Sequence, residues 1–356
     1  MKVWQIATGE PNRDYQDLFF DHDVMILGPG RHGNALSGAY AEGKPNSALR
    51  QVHSFASKPK PGDRVLMRLG HEVIGVGQIP EGDGYQYSYN NVFKCVYGWD
   101  LRHCRRVIWA QEYTLGKLAD VFRKAKQKPS FTQVHERHIV DMVRSLDASL
   151  FDRPIREMPN IKSDIYKEEE LGVELFRAGI SNKNIDDILK ALQQADRLCS
   201  WYDELERYAQ RTSGHDTQRP SENEVVSHII LPLFLGLGWS HQQMAVEWKR
   251  VDVAFFKGTP PTKKSCVMIL EAKGLGQGLG EVLRQPIEYV GRVGLANVRY
   301  ILTTDGANLF VYGRLGNMWD TDPRGYINVS SLQKQYVLPK DTDLVKTLVM
   351  LQPSSV

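Results

Sequence analysis

The hydrophobic period changes twice along this chain, and that double change restricts the fold more than any single motif. From Met1 to about Tyr113 apolar residues come in short runs (VWQIA, DVMILGPG, GDRVLMRLG, EVIGVGQI, NVFKCVYGW, RRVIWA) split by glycine and proline. That texture predicts a small barrel or curled sheet. From Leu115 to about Gln210 apolar residues recur at three and four, as in VHERHIVDMVRSL, EEELGVELFRAG and the long run from Asn184 to Arg211, which is the helical period. Asn182 or Asn184 is placed to cap the last of these helices. After the polar segment SGHDTQRPS come a helix (ENEVVSHIILPLFLGLG), strands (AVEW, VDVAFF, CVMILEAKG), a helix (GLGEVLRQPIEYVGRVG) and two more strands (VRYILTTD, NLFVYG). The expected architecture is therefore α+β or α/β in three parts: a β domain over 1–113, a helical connector over 114–215, and a mixed sheet flanked by helices over 216–356. A length of 356 residues suits two or three domains of about 150 residues each.

The formal net charge is only +3, so affinity for a polyanion must come from local patches and not from the overall field. Cys95, Cys104, Cys199 and Cys266 lack CxxC spacing, which argues against a zinc site or a disulfide framework and fits a reducing cytoplasm. The opening MKVWQIATGE has neither the charged nor the apolar block of a signal peptide, and no stretch approaches the roughly 20 apolar residues of a membrane span. A cytoplasmic protein without a membrane partner is expected.

The chemistry concentrates where the apolar run CVMIL enters Glu271, Ala272 and Lys273. Strand alternation puts residues 271 and 273 on one face, so an acid and an amine leave the strand end side by side. Asp252 lies in a second strand, VDVAFF, where a carboxylate among apolar neighbours is costly unless a cation or hydrogen bonds offset it. Two carboxylates near one lysine suit Mg²⁺, with Mn²⁺ as substitute, because Mg²⁺ takes one or two carboxylates plus phosphate oxygens and water. Lys273 would orient the attacking water or stabilise charge growing on a phosphate. An ordinary strand-end ion pair between Glu271 and Lys273 is the competing explanation. The run GLGQGLG (Gly274–Gly280) lacks the ending of a phosphate-binding P-loop and is expected to be a flexible turn into a helix.

Asp252 followed by Glu271, Ala272 and Lys273 resembles the PD-(D/E)XK nuclease superfamily, over about residues 221 to 315. The helix from SENE through Leu231, Pro232 and Leu233 to Trp239 is similar to the leading helix of nuclease domains in type I and related restriction enzymes. The resemblance implies a helix glutamate at the metal, for which Glu222 fits the spacing to the proline and Glu224 is the fallback. It also implies catalytic and metal roles for Asp252 and Glu271, and a glutamine and tyrosine on the following helix, supplied here by Gln285 and Tyr289 in RQPIEY.

In the first 110 residues, KVWQI, GDRVLM and VIGVGQI together resemble the EVE domain of the PUA-like group, whose members bind RNA or modified DNA bases. That implies a PUA-like β-barrel with a pocket for a base turned out of its stack, for which Trp4, Tyr15, Phe19 and Trp99 are cage candidates and Asp14 could read a base edge. Core roles for these aromatics, and a loop-capping role for Asp14, stand open beside it. Arg102, Arg105 and Arg106 in RHCRR are placed for contact with a DNA backbone, or form a polar strand face. The two resemblances together imply a modification-dependent, type IV-like restriction endonuclease acting on double-stranded DNA with altered bases, as a homodimer if both strands are cut. The competing classes are an RNA-processing or DNA-repair nuclease, and a non-catalytic nucleic-acid-binding protein on a nuclease-like scaffold.

Overall fold

The computed structural model describes residues 1–10, 13–30, 32–37, 47–70, 72–82, 86–110, 130–161, 164–212, 220–279 and 282–356. The first part of the segment of helical period, residues 115–129, lies outside the described residues, as do residues 38–46, and residues 213–219 of the polar boundary segment. The fold is mixed α+β in two compact units, Met1–Ser163 and Asp164–Val356. The division falls inside the stretch 114–215, whose described helices are shared between the units. No helix among the described residues is long and apolar enough to cross a membrane.

In the first unit the order is β1 (Val3–Ala7), β2 (Gly9–Glu10), β3 (Arg13–Asp14), α1 (Gln16–His22), β4 (Val24–Leu27), α2 (Ser47–Ser57), β5 (Arg64–Leu69), β6 (Glu72–Gln78), β7 (Ser88–Tyr89), β8 (His103–Arg106), β9 (Ile108–Trp109), β10 (Phe131–Gln133) and α3 (Arg137–Arg144). Its strands make a five-stranded sheet, β10-β1-β5-β6-β9, a three-stranded sheet, β4-β8-β7, and the small pair β2-β3. Among the described residues these sheets do not close into a barrel. Gly77 shows why glycine sits in β6: a Cβ there would come within 2.4 Å of Val107 and 2.6 Å of Trp109.

The second unit runs α4 (Glu168–Arg177), α5 (Asn182–Thr212), α6 (Glu222–Val225), a π-turn (Val226–Ile230), α7 (Leu231–Gly236), β11 (Met244–Trp248), β12 (Val251–Phe256), β13 (Cys266–Ala272), α8 (Arg284–Val293), β14 (Tyr300–Thr304), β15 (Asn308–Leu315), β16 (Met318–Trp319), β17 (Gly325–Asn328) and α9 (Leu344–Met350). Ser181, and not Asn182 or Asn184, caps α5, its hydroxyl accepting from the Asn184 N–H at 3.3 Å. The seven-stranded sheet has the order β11-β12-β13-β14-β15-β16, with β17 also on β15. β13 pairs antiparallel with β12 and parallel with β14. A parallel partner requires a crossover, and α8 supplies it.

β13 is central because every one of its seven residues is buried. Met268, Leu270 and Ala272 face a core with Val226, Phe234 and Leu348, while Cys266 and Ile269 face a second with Tyr289, Val290 and Leu295. A strand covered on both faces has no solvent side to tolerate charge, so its ionisable residues can only sit at the end. The π-turn widens the helix just before Pro232, at the start of α7, where a ring without an N–H would break a regular α-helical ladder.

Candidate active site

Asp252 and Glu271 come together through the register of β12 and β13. Val253 pairs with Leu270, and one further step sets Asp252 opposite Glu271, on the same face of the sheet. The Asp252 carboxylate is fixed by the backbone of the neighbouring strand, its Oδ2 accepting from the Ala272 N–H at 2.6 Å. Lys273 continues β13 by one residue, its N–H donating to the Thr304 carbonyl at 2.7 Å. Its ammonium donates to Glu271 Oε1 and to Glu222 Oε1, each at 3.1 Å. These two arms differ: the Glu271 side chain is 6% exposed and that of Glu222 is 47% exposed.

The choice between Glu222 and Glu224 follows from the helix start. Glu224 closes a capping box, its Oε2 accepting from the Ser221 N–H at 2.8 Å and the Ser221 hydroxyl at 2.9 Å. Those bonds hold the exposed Glu224 carboxyl below its ordinary pKa. Glu224 therefore caps the helix, and Glu222, two residues earlier, is the one that reaches Lys273.

The electrostatics are unbalanced, with three carboxylates around one ammonium. Burial, then the charges of Glu222 and Glu247 against the Ala272 hydrogen bond and Lys273, leaves Asp252 above the usual carboxylate range. Burial and the charge of Asp252 raise Glu271 despite its bond to Lys273. For Lys273, burial works against the ammonium, but hydrogen bonds to Glu271 and Glu222 outweigh it and the pKa rises. Lys273 thus stays protonated at neutral pH. Among the described residues no group of three or more His, Cys, Asp or Glu side chains converges as a ready-made metal cage. The donors near Lys273 are oxygens only, the set that suits Mg²⁺ completed by water and phosphate.

The turn after Lys273 is tied down, which the glycine-rich sequence did not indicate. Leu275 N–H donates to the Pro220 carbonyl at 3.0 Å, Gly276 N–H to the Asp305 carbonyl at 2.9 Å, and Gly278 N–H to Asp305 Oδ2 at 3.1 Å. Gly276 and Gly278 adopt φ of 68° and 82°, which glycine takes without strain. Asp305 is fully buried and also accepts from the Asn308 N–H at 2.8 Å. Sequence reasoning missed Asp305. It also missed Thr303, which pairs in register with Glu271 on β14 and is fully buried, its hydroxyl unpartnered among the described residues. The only sequence signal for either was a polar TTD ending an apolar strand.

Gln285 is exposed on the first turn of α8, and no hydrogen bond among the described residues joins it to Asp252, Glu271 or Lys273. Tyr289 is core, 5% exposed in the cluster that covers Ile269.

Of the residues singled out in the first unit, Tyr15, Phe19 and Trp99 lie together beside Asp14, whereas Trp4 and the arginines have other partners. Trp4 is 1% exposed, stacks on Phe131 at 5.3 Å and gives its ring N–H to Asp63 Oδ2 at 2.9 Å. Phe19 is fully buried against Trp109. Tyr15 does join neighbours, tilted on Phe19 at 5.7 Å and edge-on to the half-buried Trp99 at 5.9 Å. Asp14 beside it accepts from the Gln16 N–H at 2.8 Å, a loop-capping bond, and burial raises its pKa. Arg102 forks onto Asp100 at 2.8 and 2.7 Å. Arg105 is 3% exposed and caps the end of α2 through the carbonyls of Phe55, at 2.7 Å, and Ala56, at 2.5 Å. Burial depresses its pKa to about 10. Arg106 donates to the carbonyls of Asp23, His22 and Arg156. Through these bonds the enclosed Arg105 guanidinium ties β8 to α2.

Searches among described protein families, characterised proteins and solved structures return no match to this chain.

Proposed function

We propose that the second unit hydrolyses phosphodiester bonds in DNA with Mg²⁺, and that the first unit directs it to modified bases, as in a modification-dependent restriction endonuclease of the PD-(D/E)XK kind. The observation that carries this proposal is the imbalance at the strand ends: Lys273, 3.1 Å from both Glu222 and Glu271 and in electrostatic reach of Asp252, is among the described residues the one cation bonded to these carboxylates, two of which have raised pKa values. A structural ion pair needs no third carboxylate, and a partly buried excess of negative charge costs stability. Asp252 and Glu271 are the residues that would hold a divalent cation, which would supply Lewis acidity toward a phosphate oxygen.

The protein's own groups divide the remaining work. The Ala272 N–H and the sheet register keep the Asp252 carboxylate aimed before substrate arrives. Lys273, held protonated by two carboxylates, acts as an electrostatic clamp on charge growing at the phosphate and not as a general base. Glu222, the more exposed of its two acceptors, is the one to release it when a phosphate enters. Base recognition is supported by the N-terminal resemblance and by Tyr15 and Trp99 meeting beside Asp14.

The test is incubation with Mg²⁺ and matched plasmids, unmodified or carrying 5-methylcytosine, 5-hydroxymethylcytosine or N6-methyladenine. Cleavage confined to one modified plasmid, and abolished by Lys273→Ala, is expected. Equal cleavage of all plasmids would remove the modified-base part. Undiminished cleavage by Lys273→Ala would overturn the catalytic assignment.

A further inference from the structure

The seven-stranded sheet has a second charged end. Lys257 follows β12, Lys264 lies in the loop leading to β13, Arg299 precedes β14, Arg314 lies near the end of β15, and Arg324 precedes β17. All five line a single cavity of about 750 Å³ with no Asp or Glu in its wall. Asp252 begins β12 and Glu271 nears the end of the antiparallel β13, so the cavity sits at the opposite end of these strands. At about 3.3 Å per residue the two places are roughly 15–20 Å apart. A chain of net charge +3 does not assemble five cations around one cavity through its average composition.

Three of these side chains are held in place by neighbours, Lys257 through the Val356 carbonyl at 3.0 Å. Arg314 donates to the carbonyls of Ala296 at 2.9 Å and Gly316 at 3.1 Å and lies over the Trp319 ring at 5.7 Å. These partners are neutral, so they orient the guanidinium without cancelling its charge. Arg324 differs, being paired with Asp320. Lys264 and Arg299 are exposed, and neither forms an ion pair among the described residues. Lys264, Arg299 and Arg314 thus present charge without a side-chain carboxylate to offset it.

We propose that this cavity binds a nucleoside di- or triphosphate, separately from the catalytic cluster. Three uncompensated cations match a ligand with several phosphate charges, and an oriented guanidinium suits phosphate oxygens. The volume falls within the roughly 300–1,000 Å³ of small-molecule sites, and a concave cavity is not the extended stripe that follows a duplex backbone. The partly exposed ring of Tyr300 and the exposed Asn317 amide in the same wall give a base something to stack on and pair with. The assignment does not depend on phosphodiester cleavage.

It is tested by calorimetric titration of the full chain with ATP, AMP, inorganic pyrophosphate and a short unmodified DNA duplex, in an Asp252→Asn background so that magnesium at the catalytic end does not contribute. Expected are ATP binding, AMP at least about tenfold weaker, and a further loss of about tenfold or more for ATP in Lys264→Ala/Arg299→Ala, two exposed positions whose exchange leaves the circular dichroism unchanged. No heat from ATP up to about 1 mM overturns the proposal. So does pyrophosphate binding as tightly as ATP, the mark of an adventitious anion site. Displacement of ATP by the duplex, with duplex binding lost in the double variant, also overturns it, because the cavity would then be a backbone contact.

Discussion

The strand ends of the second unit and the arginine-bearing strand of the first use the same kinds of residue to opposite ends. Lys273 is bonded to Glu222 and Glu271 and interacts electrostatically with Asp252, and two of these three carboxylates are raised in pKa. Around Arg102, Arg105 and Arg106 every guanidinium has a carbonyl or carboxylate in reach: Asp100 for Arg102, the end of α2 for Arg105, and Asp23, His22 and Arg156 for Arg106. The first arrangement leaves an excess of carboxylates over the one ammonium bonded to them, whereas in the second each guanidinium has acceptors. A charged residue points to function when its surroundings leave it unbalanced, not when it is merely present.

That contrast can be broken at several points. The largest expected effect is on cleavage: Asp252→Asn should lower the rate about 10³-fold or more in a plasmid assay. The same substitution should raise the melting temperature by about 2–4 °C, the shift that roughly 1 kcal/mol produces in a unit of this size, because the amide keeps the Ala272 hydrogen bond and sheds a costly charge. A lower melting temperature would mean that the site is balanced after all. Next, Arg105→Ala should destabilise the first unit by about 2–4 kcal/mol in urea denaturation, since carbonyls of Phe55 and Ala56 lose charged donors in a buried place. Weaker DNA binding at unchanged stability would instead return Arg105 to the phosphate role. Glu222→Gln should cost about 10- to 100-fold in cleavage, as expected of a group acting through Lys273. Glu224→Ala, two residues on, should cost about 1 kcal/mol of stability and leave the rate per folded molecule unchanged.

The pH dependence sharpens the same comparison. Asp252 and Glu271 have folded pKa values above their unfolded ones, so the folded protein binds more protons and their ionisation lowers stability as pH rises through that window. The proposed cleavage would need both ionised to hold the cation. The acid limb of the rate profile should therefore lie above the ordinary carboxylate range at low Mg²⁺ and move to lower pH as Mg²⁺ is raised. A limb independent of Mg²⁺ would separate these carboxylates from metal binding.

How much of this was legible in the sequence depends on how far apart the deciding residues lie. Strand parity, a local argument, placed Glu271 and Lys273 on one face, and the two side chains do meet; Glu222 was favoured over Glu224 by the resemblance, and it is Glu222 that bonds to Lys273. The Asp100–Arg102 fork lies two residues apart and was equally readable, yet the basic run RHCRR drew attention away from its acidic neighbour. Trp4 is different, because its indole N–H is satisfied by Asp63, 59 residues away, and no pattern near Trp4 announces that partner. Thr303 and Asp305 were only faintly marked, by the polar TTD, for the same reason: their places come from register with β13 and from a turn across a sheet edge.

The clamp on the glycine turn has a consequence for assembly. A chain ending at Thr304 would contain Asp252, Glu271, Lys273 and Glu222, all the charge of the proposed centre. It would lack Asp305, whose carboxylate holds Gly278 across 27 residues, and β15, which carries the Asn308 bonded to that carboxylate. Closures of that span form only after their entropy has been paid by the surrounding sheet. A nascent or half-folded chain would accordingly lack the bonds that hold the turn after Lys273, and with them the finished form of the proposed centre.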